Sequence, residues 1–369
     1  MDSPAPMVRW RSGTVLGVGR RWTGAVELTV QVLDDEDAGP AGEPVRSLAY
    51  PRLVGEPAVG DRVLLTVGPL ARGLGTGGYA MVVALPDRLP ADGPVGPGHL
   101  VKARYTPLQP MVLGVDEQDC AHHEVLREAD DLGAMPVVTA DLHSSLPAVL
   151  AGIRERAPSA RVVYVLTDGG ALAAWFSRSL AGLRAAGWLI GSVSVGQAFG
   201  GDLEAVTVHT RLPAARLVLR ADIAVVAQGP GNLGTGTRWG FSGVACGEAV
   251  NAAAVLGGRP VAALRVSQAD PRERHRGVSH HSLTAYGRVA LAPADVVVPA
   301  LRGEFGDVVR AQAAALDPPH QLVTVSLDGL RAALEASPVP LSTMGRGLDE
   351  DPAAFLAAAA AGRHAATLL

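Results

Sequence analysis

The densest run of reactive side chains is Asp270–His281, twelve residues that hold one Asp, one Glu, three Arg and three His. If this stretch is extended, Arg272, Arg274 and Arg276 share one side, because side chains repeat with period two. Such a cluster suits phosphate or carboxylate recognition. His280 and His281 are expected to act as general acid or base near neutral pH. The plainer alternative is a solvated, charged loop with one satisfied histidine.

Glycine dominates a second segment, with residues at 229, 231, 234, 236, 240 and 243. Glycine admits positive φ and lets a ligand approach backbone amides, and exposed amides before a helix cradle anions. Gly229, Gly231, Asn232, Gly234, Thr235, Gly236 and Thr237 are therefore expected to bind an anion, with the threonines adding hydroxyl donors. A wide structural turn is the alternative. Gly229, Gly231 and Gly234 spell a literal dinucleotide fingerprint, but the loop runs on to about Phe241 and no acid ends the next strand. No lysine follows the glycines either, so a Walker loop is excluded.

Asp141 and His143 follow one strand candidate, Asp168 another and Asp202 a third. Asp168 either orients a catalytic group or caps the following helix. Lys102 is the only lysine beside a large excess of arginine. Unlike arginine it can shed its proton, so a catalytic role is one reading and accident the other. Lys102 and Arg104 are expected to close the site from the barrel side. The expected catalytic set is His280 or His281 oriented by Asp168 or Asp141, together with Lys102. Ligand contacts come from the glycine-rich segment, the three arginines, Asp141, His143, Arg104 and Asp202.

Cys120 and Cys246 are distant from each other and lie in apolar contexts, so two buried thiols are expected. Neither cysteine sits in a polar motif, and no serine occupies a nucleophile elbow. No metal is expected, because the histidine spacing matches no standard pattern. A site drawn from His280, His281, Asp141 or His143 stays open as the alternative. No cofactor is identifiable. His122-His123 reads as partly exposed surface.

These groups must be positioned by two kinds of structure. Residues 1–85 read as a small β-barrel of oligonucleotide-binding-like type. Its strand candidates are Thr14–Val18, Val26–Leu33, Val45–Tyr50, Arg62–Val67 and Tyr79–Leu85. The acidic turn Asp34–Asp37 reads as a solvated hairpin loop. Residues 86–98, rich in Pro and Gly, read as a linker.

Residues 99–369 read as an α/β domain with a mostly parallel, doubly wound sheet. Strands are expected at Met111–Val115, Pro136–Thr139, Arg161–Leu166, Trp188–Val195, Ala205–His209, Ile223–Ala227, Val261–Val266, Asp295–Pro299 and Gln321–Val325. Helices are expected at Glu117–Leu132, Ser145–Arg156, Leu172–Ala186, Val244–Leu256, Gly306–Ala314 and Leu327–Glu335, and the Ala-rich tail from Pro352 as a docked helix. Ligands in such sheets bind beyond the carboxyl ends of the strands. Five consecutive strand ends carry polar, Gly-rich or His-rich segments, so a shared cleft is expected there.

Composition narrows the partners. The chain has 369 residues, 48% hydrophobic and 18% charged, with a formal net charge of −4. That fits packed domains and argues against generic nucleic-acid binding. Residues 1–95 hold nine basic and eleven acidic side chains, too few cations for an RNA funnel. No apolar run of membrane-spanning length and no signal peptide is visible, so a cytoplasmic location without a membrane partner is expected. A homo-oligomer is compatible with these features.

Three strings are familiar: His99–Gln109, Gly229–Thr237 and Asp270–His281. They resemble an uncharacterised bacterial family that carries only the domain-of-unknown-function label three-eight-six-six. The resemblance spans nearly the whole chain and implies a shared architecture without a mechanism. The residues themselves favour an enzyme, a hydrolase or group transferase, acting on a small anionic metabolite that is phosphorylated or nucleotide-like. A non-catalytic metabolite sensor and an RNA-associated protein acting through the barrel are the alternatives.

Overall fold

A computed structural model describes residues 7–33 and 43–369. The chain divides into two compact units, residues 1–96 and 97–369. The first holds β1 (Trp10–Trp22), β2 (Ala25–Val32), β3 (Val45–Ala49), β4 (Arg62–Thr66) and β5 (Ala80–Ala84). They close into a barrel in the order β1-β2-β3-β5-β4. Only β3 and β5 pair in parallel. This is the oligonucleotide-binding-like barrel expected.

Alternation along β2 explains the barrel interior. Val26, Leu28 and Val30 are buried at every second position. Two register shifts let the 13-residue β1 bend around the barrel. The acidic turn Asp34–Asp37 lies outside the described residues.

The second unit is built on β6 (Pro136–Thr139), β7 (Val162–Thr167), β8 (Gly191–Ser194), β9 (Leu203–Glu204), β10 (Ile223–Gln228), β11 (Arg259–Ala263), β12 (Asp295–Pro299) and β13 (Gln321–Val325). They form one parallel sheet in the order β9-β8-β7-β10-β6-β11-β12-β13. The sequence reads as continuous apolar runs because both faces are covered. Val138, Tyr164 and Val225 pack one way, whereas Val137, Val163 and Val226 pack the other.

On the first face lie α1 (Leu146–Arg156), α2 (Arg178–Ala185), α7 (Leu330–Glu335) and α8 (Pro352–Thr367). The opposite face carries α3 (Val208–Pro213), α4 (Ala245–Val255), the segment after α5 (His280–Thr284), and α6 (Gly303–Ala313). The chain therefore winds from β6 toward β9 along one face and returns from β10 toward β13 along the other. That reversal inserts β10 between β7 and β6. The carboxyl ends of these central strands are a topological switch point, where a crevice opens. No helix among the described residues is long and apolar enough to cross a membrane.

Several elements differ from expectation. Glu117–Leu132 is not a helix beyond His123–Leu126, because only Leu126 of that turn is buried and no apolar stripe continues it. Met111–Val112 pairs with Leu100–Val101 in a separate ribbon. Leu203–Glu204 replaces Ala205–His209 as a strand, since Thr207 accepts the Thr210 amide and starts α3. Leu172–Ala186 is split at Ser177, whose hydroxyl accepts the Leu180 amide and caps α2. Beyond β11, Val266–Ser267 leaves the sheet to pair with Gly277–Val278.

The α1–α8 crossing depends on two glycines. A Cβ added at Gly152 would lie 1.8 Å from the Ala359 carbonyl oxygen, and one at Gly362 would lie 1.9 Å from that of Val149. Both obstacles are backbone, so the helices would have to separate. Helix propensity alone favours Gly152→Ala by about 1 kcal/mol. Overpacking a tight crossing costs about 1–3 kcal/mol or more, which outweighs it. Gly152→Ala is expected to lower the free energy of urea unfolding, and an unchanged or raised midpoint would show that the helices are not this close.

Candidate functional site

Asp141, two residues beyond β6, is 3% exposed. Its Oδ2 lies 3.6 Å from the Arg265 guanidinium and 3.4 Å from His281 Nδ1. Burial alone would raise its pKa, but His281 and Arg265 outweigh that and hold the carboxyl below its usual range. Arg265 follows β11 and is itself buried at the side chain. Its amide donates to Ser282 Oγ, and its carbonyl accepts the Ser279 amide. One residue thus neutralises the carboxylate and clamps the start of α5, which carries His280 and His281.

His281 stacks face to face on Phe241 at 3.8 Å between centroids. His275 completes a cluster of three imidazoles. Its ring lies 5.0 Å from that of His280 and 4.9 Å from that of His281. One nitrogen from each of the three lies within 4.8 Å of the others. His275 Nδ1 is 2.8 Å from Ser279 Oγ, and His280 Nε2 is buried without a hydrogen-bond partner. Burial, then Arg265 and Arg272, pushes His275 down to about 3. Burial, then His281 and Arg274, pushes His280 down to about 4. Both rings are neutral at physiological pH. These three residues are the ones positioned to hold a metal ion.

The glycine-rich loop is anchored to the same place. Gln228 Nε2 donates to the Asp141 carbonyl and to Asn232 Oδ1, and Ser242 Oγ donates to Gln228 Oε1. Asn232 Oδ1 also accepts the Gly243 amide. Asn232 is therefore an anchor of the loop. The Thr235 and Thr237 hydroxyls close the loop on Gly240. The hydrogen bonds among the described residues leave the amides of Gly231, Gly234 and Gly236 uncommitted. Gly231 and Gly236 sit at φ of +95° and +80°, the left-handed region that favours glycine. A Cβ at Gly236 would approach Arg274 Nη2 to 3.7 Å, so this guanidinium lies over the exposed loop.

The three arginines do not share one side. Glu273–His275 forms a single tight helical turn rather than an extended run. Arg272 is committed to Asp270 through two hydrogen bonds of 2.9 and 2.8 Å. Arg346, which also pairs with Asp351, approaches the same carboxylate. Arg274 and Arg276 are exposed.

Other expected residues lie apart from this cluster. Asp168 accepts the Gln197 amide and does not orient His280 or His281, since Asp141 holds that place. Lys102 is 2% exposed. Its Nζ donates to the Ala205 carbonyl at 2.8 Å and faces Glu204 at 3.7 Å. Burial lowers its pKa, opposed by Glu204. The fully buried Arg211 shares this pocket and donates to the Leu166 carbonyl. Arg104 offers only its amide, to Gln197 Oε1. Asp202 caps the Ser192 amide and pairs with Arg184. Gly229 is a packing position, where an added Cβ would lie 2.6 Å from the Ala171 carbonyl oxygen. Cys246 is buried, as expected, and its thiol is pushed up by burial, whereas Cys120 is half-buried.

His275, Arg265 and Phe241 were not singled out by sequence reasoning. His275 lies inside the charged string and could have been. Arg265 was hidden because the strand was expected to run to Val266.

His143 turns out to be a fastener. Its Nδ1 lies 2.9 Å from Tyr164 Oη and its Nε2 2.7 Å from Ser177 Oγ. Tyr164 Oη donates its proton to the Gln228 and Ala227 carbonyls, so Nδ1–H donates to Tyr164 and Nε2 accepts from the Ser177 hydroxyl. Burial pushes His143 down from 6.5 to about 4. The unfolded chain therefore takes the proton first as pH falls. The stability this ring contributes is whole above pH 6.5 and is lost as pH falls toward 4. Between pH 7 and pH 5 the wild type should lose about 2 kcal/mol more than His143→Gln. Urea unfolding at pH 7, 6 and 5 reads this directly, and parallel losses in the two proteins would refute it.

The three strings that carry the resemblance map onto distinct places. Gly229–Thr237 is the anchored loop, Asp270–His281 supplies the imidazoles and Arg274, and His99–Gln109 contains buried Lys102. No curated protein and no solved structure matches the chain. The model of a family described as "Protein of unknown function (DUF3866)" matches residues 46–362 of the 369, and the chain belongs to that family.

Proposed function

We propose that the α/β unit is an enzyme that binds a small anionic metabolite, phosphorylated or nucleotide-like, at the carboxyl ends of β10, β6 and β11, and hydrolyses it or transfers a group from it. The observation that carries this reading is the pairing of uncommitted amides at Gly231, Gly234 and Gly236 with the Arg274 guanidinium beside Gly236. Amides in a left-handed loop and one forked cation are what an anion needs. The reacting end of the ligand is assigned to the neighbouring imidazoles, of which burial holds His275 and His280 neutral. The same location lies at the switch point of the sheet, where ligands of such folds bind.

The test is a thermal-shift series with inorganic phosphate, pyrophosphate and nucleoside mono- and diphosphates. A ligand at about 100 times its dissociation constant adds about 2.7 kcal/mol of stability. Arg274→Ala removes charge-assisted hydrogen bonds of about 1.5–3 kcal/mol and should weaken the responding ligand roughly 10- to 100-fold. Arg288→Ala, an exposed arginine in the segment after α5, should leave it unchanged. Equal loss in both variants would mean nonspecific attraction. A flat response to every phosphate would overturn the anion reading.

A further inference from the structure

A proton acceptor needs one imidazole, yet this site gathers three. We propose that His275, His280 and His281 form a binding site for one divalent transition-metal ion of the zinc type, with a fourth coordination position left open. Three observations carry this independently of the anion reading. First, the three ligand nitrogens already lie within 4.8 Å of one another, with two of the rings buried. Around a tetrahedral zinc with bonds of about 2.1 Å, ligand nitrogens sit about 3.4 Å apart. Modest side-chain rotation closes the difference.

Second, every ring keeps a nitrogen that no hydrogen bond among the described residues uses. His275 Nδ1 is taken by Ser279, and His281 Nδ1 faces Asp141 and Arg265. No hydrogen bond among the described residues uses Nε2 of His275 or His281. His280 Nε2 is buried and unpartnered. A buried ring nitrogen without a partner is costly, and an ion would remove that cost.

Third, the surroundings are those of a metal site. With Nδ1–H turned to Asp141 Oδ2 at 3.4 Å, rather than Nδ1 accepting from Arg265 Nη1 at 3.1 Å, His281 would have the carboxylate–histidine arrangement that strengthens a ligand as a donor. Phe241 stacks on His281 and meets His280 edge-on, which limits ring rotation. Imidazole donors suit zinc, copper, iron and nickel rather than calcium or magnesium. Three protein nitrogens with an open fourth position mark catalytic rather than structural zinc sites. Asp141 is balanced by Arg265, so the ion's charge would remain largely uncancelled and would favour an anionic ligand.

The experiment uses the full chain, stripped with a chelator and titrated with Co²⁺ and then Zn²⁺. The expected result is one equivalent per chain, with the visible absorption of low-coordinate Co²⁺, displaced by Zn²⁺. His280→Gln, at the half-buried ring, should abolish the signal while keeping a cooperative unfolding transition. Asp141→Asn should weaken binding about 10- to 100-fold. Arg274→Ala should bind cobalt as the wild type does and lose only its response to inorganic phosphate. That separates failure of this site from failure of the anion reading. A folded His280→Gln that binds cobalt with the same spectrum, or a wild type that takes up no ion, would overturn the proposal.

Discussion

A carboxylate buried at the end of a central strand must be neutralised, and the site is organised around how Asp141 meets that requirement. Removing a charge from water costs several kcal/mol unless partners compensate. Arg265 and His281 supply the compensation. Arg265 can do so only if β11 ends at Ala263 and the chain turns at once, which is why Val266–Ser267 leaves the sheet. The same turn hands the Arg265 backbone to Ser279 and Ser282, and that contact starts α5. Gln228 grips the Asp141 carbonyl and, through Asn232, the glycine-rich loop. One buried charge thus fixes β6, β10, β11, α5 and the loop relative to one another.

A second buried set follows the same rule with a different result. Lys102, Glu204 and Arg211 hold two cations and one carboxylate in the interior at the ends of β7 and β9. The only lysine in the chain occupies a pocket where its ammonium donates to the Ala205 carbonyl and faces Glu204. A compact ammonium on a flexible stem fits there, whereas a planar fork with five donors brings more hydrogens than two acceptors can satisfy. The buried Arg211 in the same pocket already leaves its Nε and Nη2 without partners, so a second guanidinium there would add to that deficit.

Much of the frame was legible. Pro136–Thr139 and Asp295–Pro299 were placed to the residue, because parallel strands covered on both faces leave apolar runs between turns; the edge strand Gln321–Val325, only partly covered, was marked by its β-branched residues. Of the five strand ends expected to share a cleft, the segments after β6, β10 and β11 meet around Asp141, whereas Asp168 and Asp202 bond elsewhere. What failed had a common cause. Glu117–Leu132 has helix-forming residues but buries too little to fold as one helix. α5 spans five residues, is capped by Ser279, and carries polar histidines where a periodic apolar stripe would be sought. The choice between Asp141 and Asp168 as the carboxylate beside the histidines stayed open because both follow buried strands. Only the sheet order shows that β6, not β7, adjoins β11.

The alternating arginines show most clearly how burial sorts residues of one type. Arg272 is drawn to Asp270, whose side chain is fully buried and would otherwise be an isolated charge. Arg346 is held between Asp270 and Asp351 for the same reason. These cations are committed to internal compensation. Arg274, two residues from Arg272, is turned outward by the helical turn at Glu273–His275 and has no acidic partner among the described residues. It lies over a loop whose amides are also uncommitted. The proposed anion site therefore rests not on the number of arginines in the string but on Arg274, which the buried carboxylates leave over beside a backbone that offers donors and no side-chain charge.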